Sequence, residues 1–311
     1  MNKKAFFFID DVVWVFRDLT RQKPKSLFDN EFLKLLKKAH DEYGLKTQLN
    51  VFYQTDVYYG NDEFNLSQMT DAYKAEWEMA SEWLKLAFHA RQEFPDYPYI
   101  NASYDHVYND YKAIENEIIR FAGEGSIAKA TTPHWRPISK QACLALRDCG
   151  IKLISATYGK RIEYDGDSSS LPYGHAGRLL CNRKEETAIF VRESPDKAIT
   201  KSLCGYNHIT EEERDRTRYN FECVSDLDTG LKFKDLGSGE DSCLNLITKA
   251  EVEELYKRIT DREFFVYGTH EQYFYPDYFA YQEEYPQKIL LAAKLLAENG
   301  YEFIFSQDIV D

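Results

Sequence analysis

The stretch Ala5-Phe6-Phe7-Phe8-Ile9-Asp10-Asp11 decides how the rest of the chain reads. Five consecutive apolar residues, with no polar alternate, describe a strand covered on both faces, as in a parallel sheet flanked by helices. The run stops at two carboxylates. Neighbouring strand residues point to opposite sides, so Asp10 and Asp11 need not share a role. One can hold a metal while the other accepts a proton from an attacking water. A helix cap or a salt bridge is the plainer use of such a pair, but the apolar strand directly before it favours chemistry at a strand end. Met1-Asn2-Lys3-Lys4 ahead of the run looks like the start of a secretory signal. The apolar segment is too short for one, and no small-residue cleavage site follows it.

Outward from this strand, apolar runs alternate with helical patterns. Asn30 to Tyr43 carries Phe32, Leu35, Leu36 and Ala39 at helical spacing, with Gly44 just beyond its end. Thr47–Tyr53 reads as a strand, Asp71–Trp83 as a helix, Leu84–Phe88 as a strand and Asp105–Phe121 as a helix. A short strand at Ile127–Thr131 leads to a helix capped by Ser139 and ended by Gly150, and Ile151–Ile154 resumes the strand pattern. Thr248-Lys249-Ala250-Glu251 is a capping box before another helix. Phe264–Tyr267, a helix over Gln287–Glu298, and Phe303–Phe305 complete the pattern. The alternation predicts an α/β fold with parallel strands joined by right-handed crossovers. Residues 159–247, rich in glycine and holding only short strand-like pieces such as Ala188–Arg192, read as a long insertion within one domain spanning 1–311.

Composition narrows the class. With 43% apolar and 29% charged residues over 311 positions, a sizeable core lies beneath a charged surface, which excludes wholesale disorder. A net charge of −13 would be repelled by a phosphate backbone or an anionic bilayer, so neither nucleic acid nor membrane is an expected partner. No stretch approaches the ~20 apolar residues that span a bilayer. Six cysteines without a CxxC pair read as reduced thiols, and a cytoplasmic location is expected. Cys143 and Cys149 share a helix without an activating cation and read as inert.

The chemistry-bearing residues recur after strands. Phe52 leads to Gln54 and Asp56, Phe88 to His89 with Glu93 four residues on, Ile127–Thr131 to His134-Trp135, and Tyr267 to His270-Glu271. In a parallel barrel such carboxyl ends converge on one face. His89, with Glu93 and His134, can form a three-ligand set that leaves a position open for water, as catalytic zinc sites do. The tract Tyr273–Tyr281 offers aromatic faces for a sugar, or loop packing. Trp135, Tyr273 and Tyr275 are the substrate-binding candidates. His40 and His106 read as solvated, and His175 and His208 fall in the insertion.

In this order these residues resemble the polysaccharide deacetylase (NodB-homology) superfamily. The resemblance rests on Phe8-Ile9-Asp10-Asp11, Phe88-His89, Thr132-Pro133-His134-Trp135-Arg136-Pro137, Gly268-Thr269-His270, and the closing Asn299–Phe305, and covers residues 1–158 and 248–311. It implies an irregular (β/α) barrel of about seven parallel strands. It also implies a divalent metal, zinc by preference, on Asp11 and His89, with Asp10 as general base and His270 as general acid. The implied reaction is hydrolysis of an N- or O-acetyl group on a carbohydrate. The chain departs from the family at Glu93, where a second histidine usually stands, and at Val12, where glycine is usual. His134 stands in the place of the family's arginine motif, so either Glu93 or His134 can be the third ligand. Two other readings keep the fold: a metal-independent glycoside hydrolase pairing Asp10 or Asp11 with Glu93 or Glu271, and a carbohydrate-binding protein without catalysis.

Overall fold

The computed structural model describes residues 3–55, 63–94, 97–136, 138–155, 216–217, 219–236, 242–258, 262–278 and 280–310. Asp56, His175, His208, the Ala188–Arg192 strand piece and most of the expected insertion lie outside the described residues. Within them the strands are β1 Lys3–Val12, β2 Thr47–Phe52, β3 Leu84–Ala90, β4 Ala130–Thr131, β5 Leu153–Ile154, β6 Val224–Ser225, β7 Lys232–Phe233, β8 Phe264–His270 and β9 Tyr301–Phe303. The helices are α1 Trp14–Gln22, α2 Glu31–Tyr43, α3 Lys74–Ala80, α4 Tyr104–Ala122, α5 Lys140–Asp148, α6 Lys249–Arg258 and α7 Tyr285–Glu298.

The strands form two sheets. One runs β3-β2-β1-β8, with β9 also on β1; the other runs β4-β5-β7-β6. Every pairing is parallel except β6 with β7, and a parallel bridge from Leu86 to Ile127 links the two sheets. The expected α/β class with parallel strands holds. β6 and β7 fall inside the stretch read as an insertion, and β7 extends the parallel sheet beside β5. No described helix is long and apolar enough to cross a membrane.

β1 shows why its sequence is apolar throughout. Phe7 and Ile9 join the larger core, into which the apolar faces of α2, α4 and α7 also pack. Phe6 and Phe8 point the other way, into a smaller core shared with Ala130 and Leu153 of the second sheet and with Phe264 and Val266 of β8. Both sheets therefore turn a face toward one apolar interior. Local signals bound the helices, and those at Gly44, Ser139 and Thr248–Glu251 do so as expected. Asn30 caps α2 through Phe32 and Leu33 N–H, and Ser139 caps α5 through Ala142 N–H. Thr248 and Glu251 form their reciprocal box at 2.7 and 3.3 Å, and Gly44 closes α2 at φ 73°, where a side chain would be strained.

Four expectations shift. α3 covers only Lys74–Ala80 of the expected Asp71–Trp83, and β9 lies at Tyr301–Phe303, two residues earlier than expected. Of the expected Ile127–Thr131 strand only Ala130–Thr131 forms regular ladder. His40, read as solvated, stacks on Trp83 at 4.5 Å, and its Nδ1 reaches the Leu45 carbonyl at 2.9 Å. Cys143 and Cys149 are buried, and burial pushes both thiols up, Cys149 to about 11.

Gly268 faces Phe8 across the β1–β8 ladder. A Cβ placed there would sit 2.5, 2.6 and 2.7 Å from three atoms of the Phe8 ring, which is buried beside Phe6. Gly268→Ala is expected to lower stability by about 1–3 kcal/mol through forced repacking, measurable as a reduced urea midpoint. An unchanged midpoint would show that the ring moves freely.

Candidate metal centre

The carboxyl ends of β1, β3, β4 and β8 bring the sequence candidates together by two irregularities in the ladders. In a regular strand Asp10 and Asp11 would face opposite sides. The β1–β2 register slips between Ile9 and Val12, and Asp11 takes φ 61°. The β2–β3 register slips likewise between Val51 and Phe52, leaving His89 at the irregularity between Phe88 and Ala90. Bulges re-aim side chains and recur beside active sites, and here both aim at the same point. His134 follows β4 in a turn tied to β3, its N–H donating to the His89 carbonyl at 3.0 Å. The next residues, Trp135 and Arg136, sit at φ 61° and 71°, a strained pair of a kind that collects at functional sites.

Three ligand atoms converge. His89 Nε2 lies 3.1 Å from Asp11 Oδ1, His134 Nδ1 lies 3.3 Å from the same oxygen, and the two ring nitrogens are 3.2 Å apart. All three residues are buried. Their far nitrogens are already used: His89 Nδ1 donates to the Thr132 carbonyl at 2.5 Å, and His134 Nε2 to the Glu93 carbonyl at 3.1 Å. In their neutral form, rings so anchored would turn only lone pairs toward the Asp11 carboxylate, the donor set a cation takes. A zinc tetrahedron with bonds of about 2.0–2.1 Å has edges of roughly 3.3–3.4 Å. The observed separations fit that triangle, three of the tetrahedron's four corners. Phe52 packs against both rings, at 5.2 and 4.9 Å, and forms an apolar shoulder.

Charge follows the geometry. Burial alone would raise the Asp11 carboxyl, but hydrogen bonds from His134 and His89, with the charges of His134 and His270, hold it well below the usual carboxylate range. Burial opposes charging His89, and Asp10 and Asp11 outweigh it, so its pKa rises.

Asp10 and His270 stand opposite each other in the β1–β8 ladder. Asp10 Oδ1 accepts from Asn50 Nδ2 at 2.6 Å, and Asn50 is held in turn by Gln48 at 2.9 Å, a buried polar file climbing the interior of β2. His270, half-buried, directs Nδ1 to Asn245 Oδ1 at 3.1 Å and Nε2 toward Asp11 Oδ2 at 4.0 Å. Burial works against its charge, but a hydrogen bond with Cys243 and the charges of Asp11 and Asp10 prevail, pushing the ring up to about 10.

The remaining candidates separate. Glu93 is buried and meets the centre through its backbone carbonyl, while its carboxylate lies 3.8 Å from His134 Nε2 and is not among the three converging groups. Trp135 is half-buried, its ring on Tyr97 at 5.0 Å. Tyr273 and Tyr275 are buried at 4% and 6% exposure, and Tyr275 packs on Trp14 with its hydroxyl on Glu271 at 3.1 Å, so neither offers a free face. Glu271 is fully buried, and both its oxygens are taken by backbone N–H groups of residues 13–15. The sequence reading missed three amides: Asn50, Asn245 and Gln272, whose Nε2 donates to Asp11 Oδ2 at 3.0 Å. Only Asn50, a polar residue between Leu49 and Val51 of an expected strand, carried a signal.

No family model matches the sequence, and no curated protein matches it. Solved structures do. A 4-alpha-glucanotransferase from Thermococcus litoralis superposes with a TM-score of 0.52 at 10% identity, covering 100% of this chain and 40% of that one. The chain shares that fold. It spans less than half the length of the glucanotransferase. A family 4 acetyl xylan esterase from Clostridium thermocellum, solved with a cobalt ion, gives 0.39 at 11% identity over 99% of this chain and 90% of that one. The Xyl-CE4 domain of a multidomain xylanase from the Trinervitermes trinervoides hindgut metagenome gives 0.40 at 9% identity, over 99% and 90%.

Proposed function

We propose that the chain is a metal-dependent hydrolase of the polysaccharide deacetylase type, removing N- or O-acetyl groups from a carbohydrate. The observation that carries this reading is the buried triangle of Asp11, His89 and His134, flanked by Asp10 and His270. A divalent ion held there, zinc by the N₂O donor set, would supply a Lewis acid and an acidified water. The chain's own residues do the rest. Asp10, one oxygen fixed by Asn50, takes the proton of the attacking water with the other. His270, in its protonated form and oriented by Asn245, gives a proton to the departing sugar oxygen or nitrogen. Trp135 is the remaining aromatic face for the sugar. Glu93 stands behind His134 as its anchor rather than as a ligand.

A glycosidase working through Glu271 has no support, because four donors already occupy that carboxylate. The test is acetate release from acetylated xylan and from N-acetylglucosamine oligomers, before and after chelation, together with elemental analysis. Release abolished by the chelator and restored by zinc or cobalt is expected. A protein that takes up no zinc, cobalt or manganese would end this reading in favour of glycan binding without turnover.

A further inference from the structure

We propose that Glu271 is a positioning residue for the metal centre, holding the first turn of α1 so that Asp11 keeps its bulged, left-handed conformation. This rests on the metal-site reading above and concerns a group that touches neither metal nor substrate.

The helix that follows the Asp pair has no cap of its own. Val13 occupies its N-cap position without a side-chain acceptor, and its first turn has no acidic residue. The N–H groups of Val13, Trp14 and Val15 belong to residues at most 3% exposed, beyond the reach of solvent. Glu271 supplies what they lack. Its Oε2 accepts from Val13 and Trp14 at 2.7 and 2.8 Å, and its Oε1 from Val15 at 2.7 Å and from the Tyr275 hydroxyl at 3.1 Å. Burial pushes the carboxyl up to about 7, against the pull of the three N–H groups and the Tyr275 hydroxyl, and in its ionised form it meets the orphan donors and the dipole together.

The link to the metal is short. Only Val12 separates Asp11 from the first clamped amide, and Val12 is where β1 regains register, opposite Val51. The chain has no slack there to absorb a displaced helix end. Glu271 is also flanked by the two residues that face the centre from β8 and its turn. His270 pairs with Asp10, and Gln272 donates to Asp11 Oδ2 at 3.0 Å. One carboxylate thus ties the end of β1 to the end of β8 at the point where ligand, base and acid must coincide. Four donors require an acceptor-only group. In Glu271→Gln an amide NH₂ would confront at least one of the N–H donors, so the isosteric change breaks the clamp.

The experiment uses the full chain as wild type, Glu271→Gln and Tyr275→Phe. It measures zinc affinity by competition with a chromophoric chelator, the visible spectrum of the cobalt-loaded proteins, and far-UV circular dichroism. Glu271→Gln is expected to retain its helical signal, bind zinc about 10–100-fold more weakly, as loss of a supporting partner does, and change the cobalt bands. Tyr275→Phe removes one donor, leaves the backbone clamp, and should stay within about threefold of wild type. Wild-type zinc affinity and cobalt spectrum in Glu271→Gln, even with reduced thermal stability, would overturn the proposal and leave Glu271 a helix cap alone. If that variant does not fold, Glu271→Asp carries the test, with the same charge one methylene short. Weaker zinc binding and altered cobalt bands support the clamp, and unchanged values overturn it. A wild-type protein that binds no metal would instead overturn the metal centre itself, and this inference with it.

Discussion

Asp10→Asn is expected to keep its metal and to lose roughly 10²–10⁴ of its turnover, the usual contribution of a positioned general base. The substitution is nearly silent in shape. An asparagine oxygen can still accept from Asn50 Nδ2, which lies 2.6 Å from Asp10 Oδ1, so the polar file through Gln48 stays intact. The three converging ligand atoms come from Asp11, His89 and His134, none of which is altered. What disappears is a carboxylate able to take a proton. The check is kcat on an acetylated substrate beside metal content by elemental analysis. Near-full turnover would remove Asp10 from the chemistry, and loss of metal would make it a ligand.

The second large effect is His89→Ala. Metal content should fall from about one equivalent to none. The ring is one of the three groups proposed to hold the ion and also the hub of the triangle, 3.1 Å from Asp11 Oδ1 and 3.2 Å from His134 Nδ1. If four ligands together supply about 10–16 kcal/mol, losing one costs on the order of 10²–10³-fold in affinity. His134→Ala should weaken metal binding more than Glu93→Ala does, because His134 Nδ1 faces Asp11 while Glu93 reaches His134 from behind. The reverse order would transfer the third ligand to Glu93.

Much of this architecture was legible because its signals are local. The apolar run of β1, the Gly44 stop, the Ser139 cap and the Thr248–Glu251 box each need only a few adjacent residues, and each forms as written. α1 was not legible for the opposite reason. Its N-cap is a valine, and the group that caps it lies 258 residues away. The same holds at the site. Strand-end position was enough to single out Asp10, Asp11, His89, His134 and His270, which lie together, but nothing near Gln272 or Asn245 announces that their amides reach Asp11 and His270. The aromatic tract after His270 misled in part. Tyr273 and Tyr275 fill the interior beside Trp14 and Glu271, where a hydroxyl can be satisfied without water. β9 begins sooner than its apolar pattern suggests because Tyr301 pairs with Lys3 directly after Gly300 ends α7, whereas past Phe303 only the Ile304 N–H still reaches β1, at the Ala5 carbonyl, and the Phe305 N–H turns to Asp308.

The placement of β1 also governs how the chain can be made. It is the hub of its sheet, with β8 along one edge and β9 and β2 sharing the other, β9 at Lys3–Ala5 and β2 from Phe7 onward. The start of α1, directly after it, is clamped by a glutamate 258 positions later. At synthesis rates of about 5–20 residues per second, the Asp pair would wait roughly ten to fifty seconds on the ribosome before β8 emerged to complete the ladder. During that interval Phe6 and Phe8 would lack their partners Phe264 and Val266, and one edge of β1 would stand open. Nascent chains of this protein are therefore expected to be clients of holding chaperones until the final strands arrive, which ribosome-bound truncations ending before and after Phe264 would reveal.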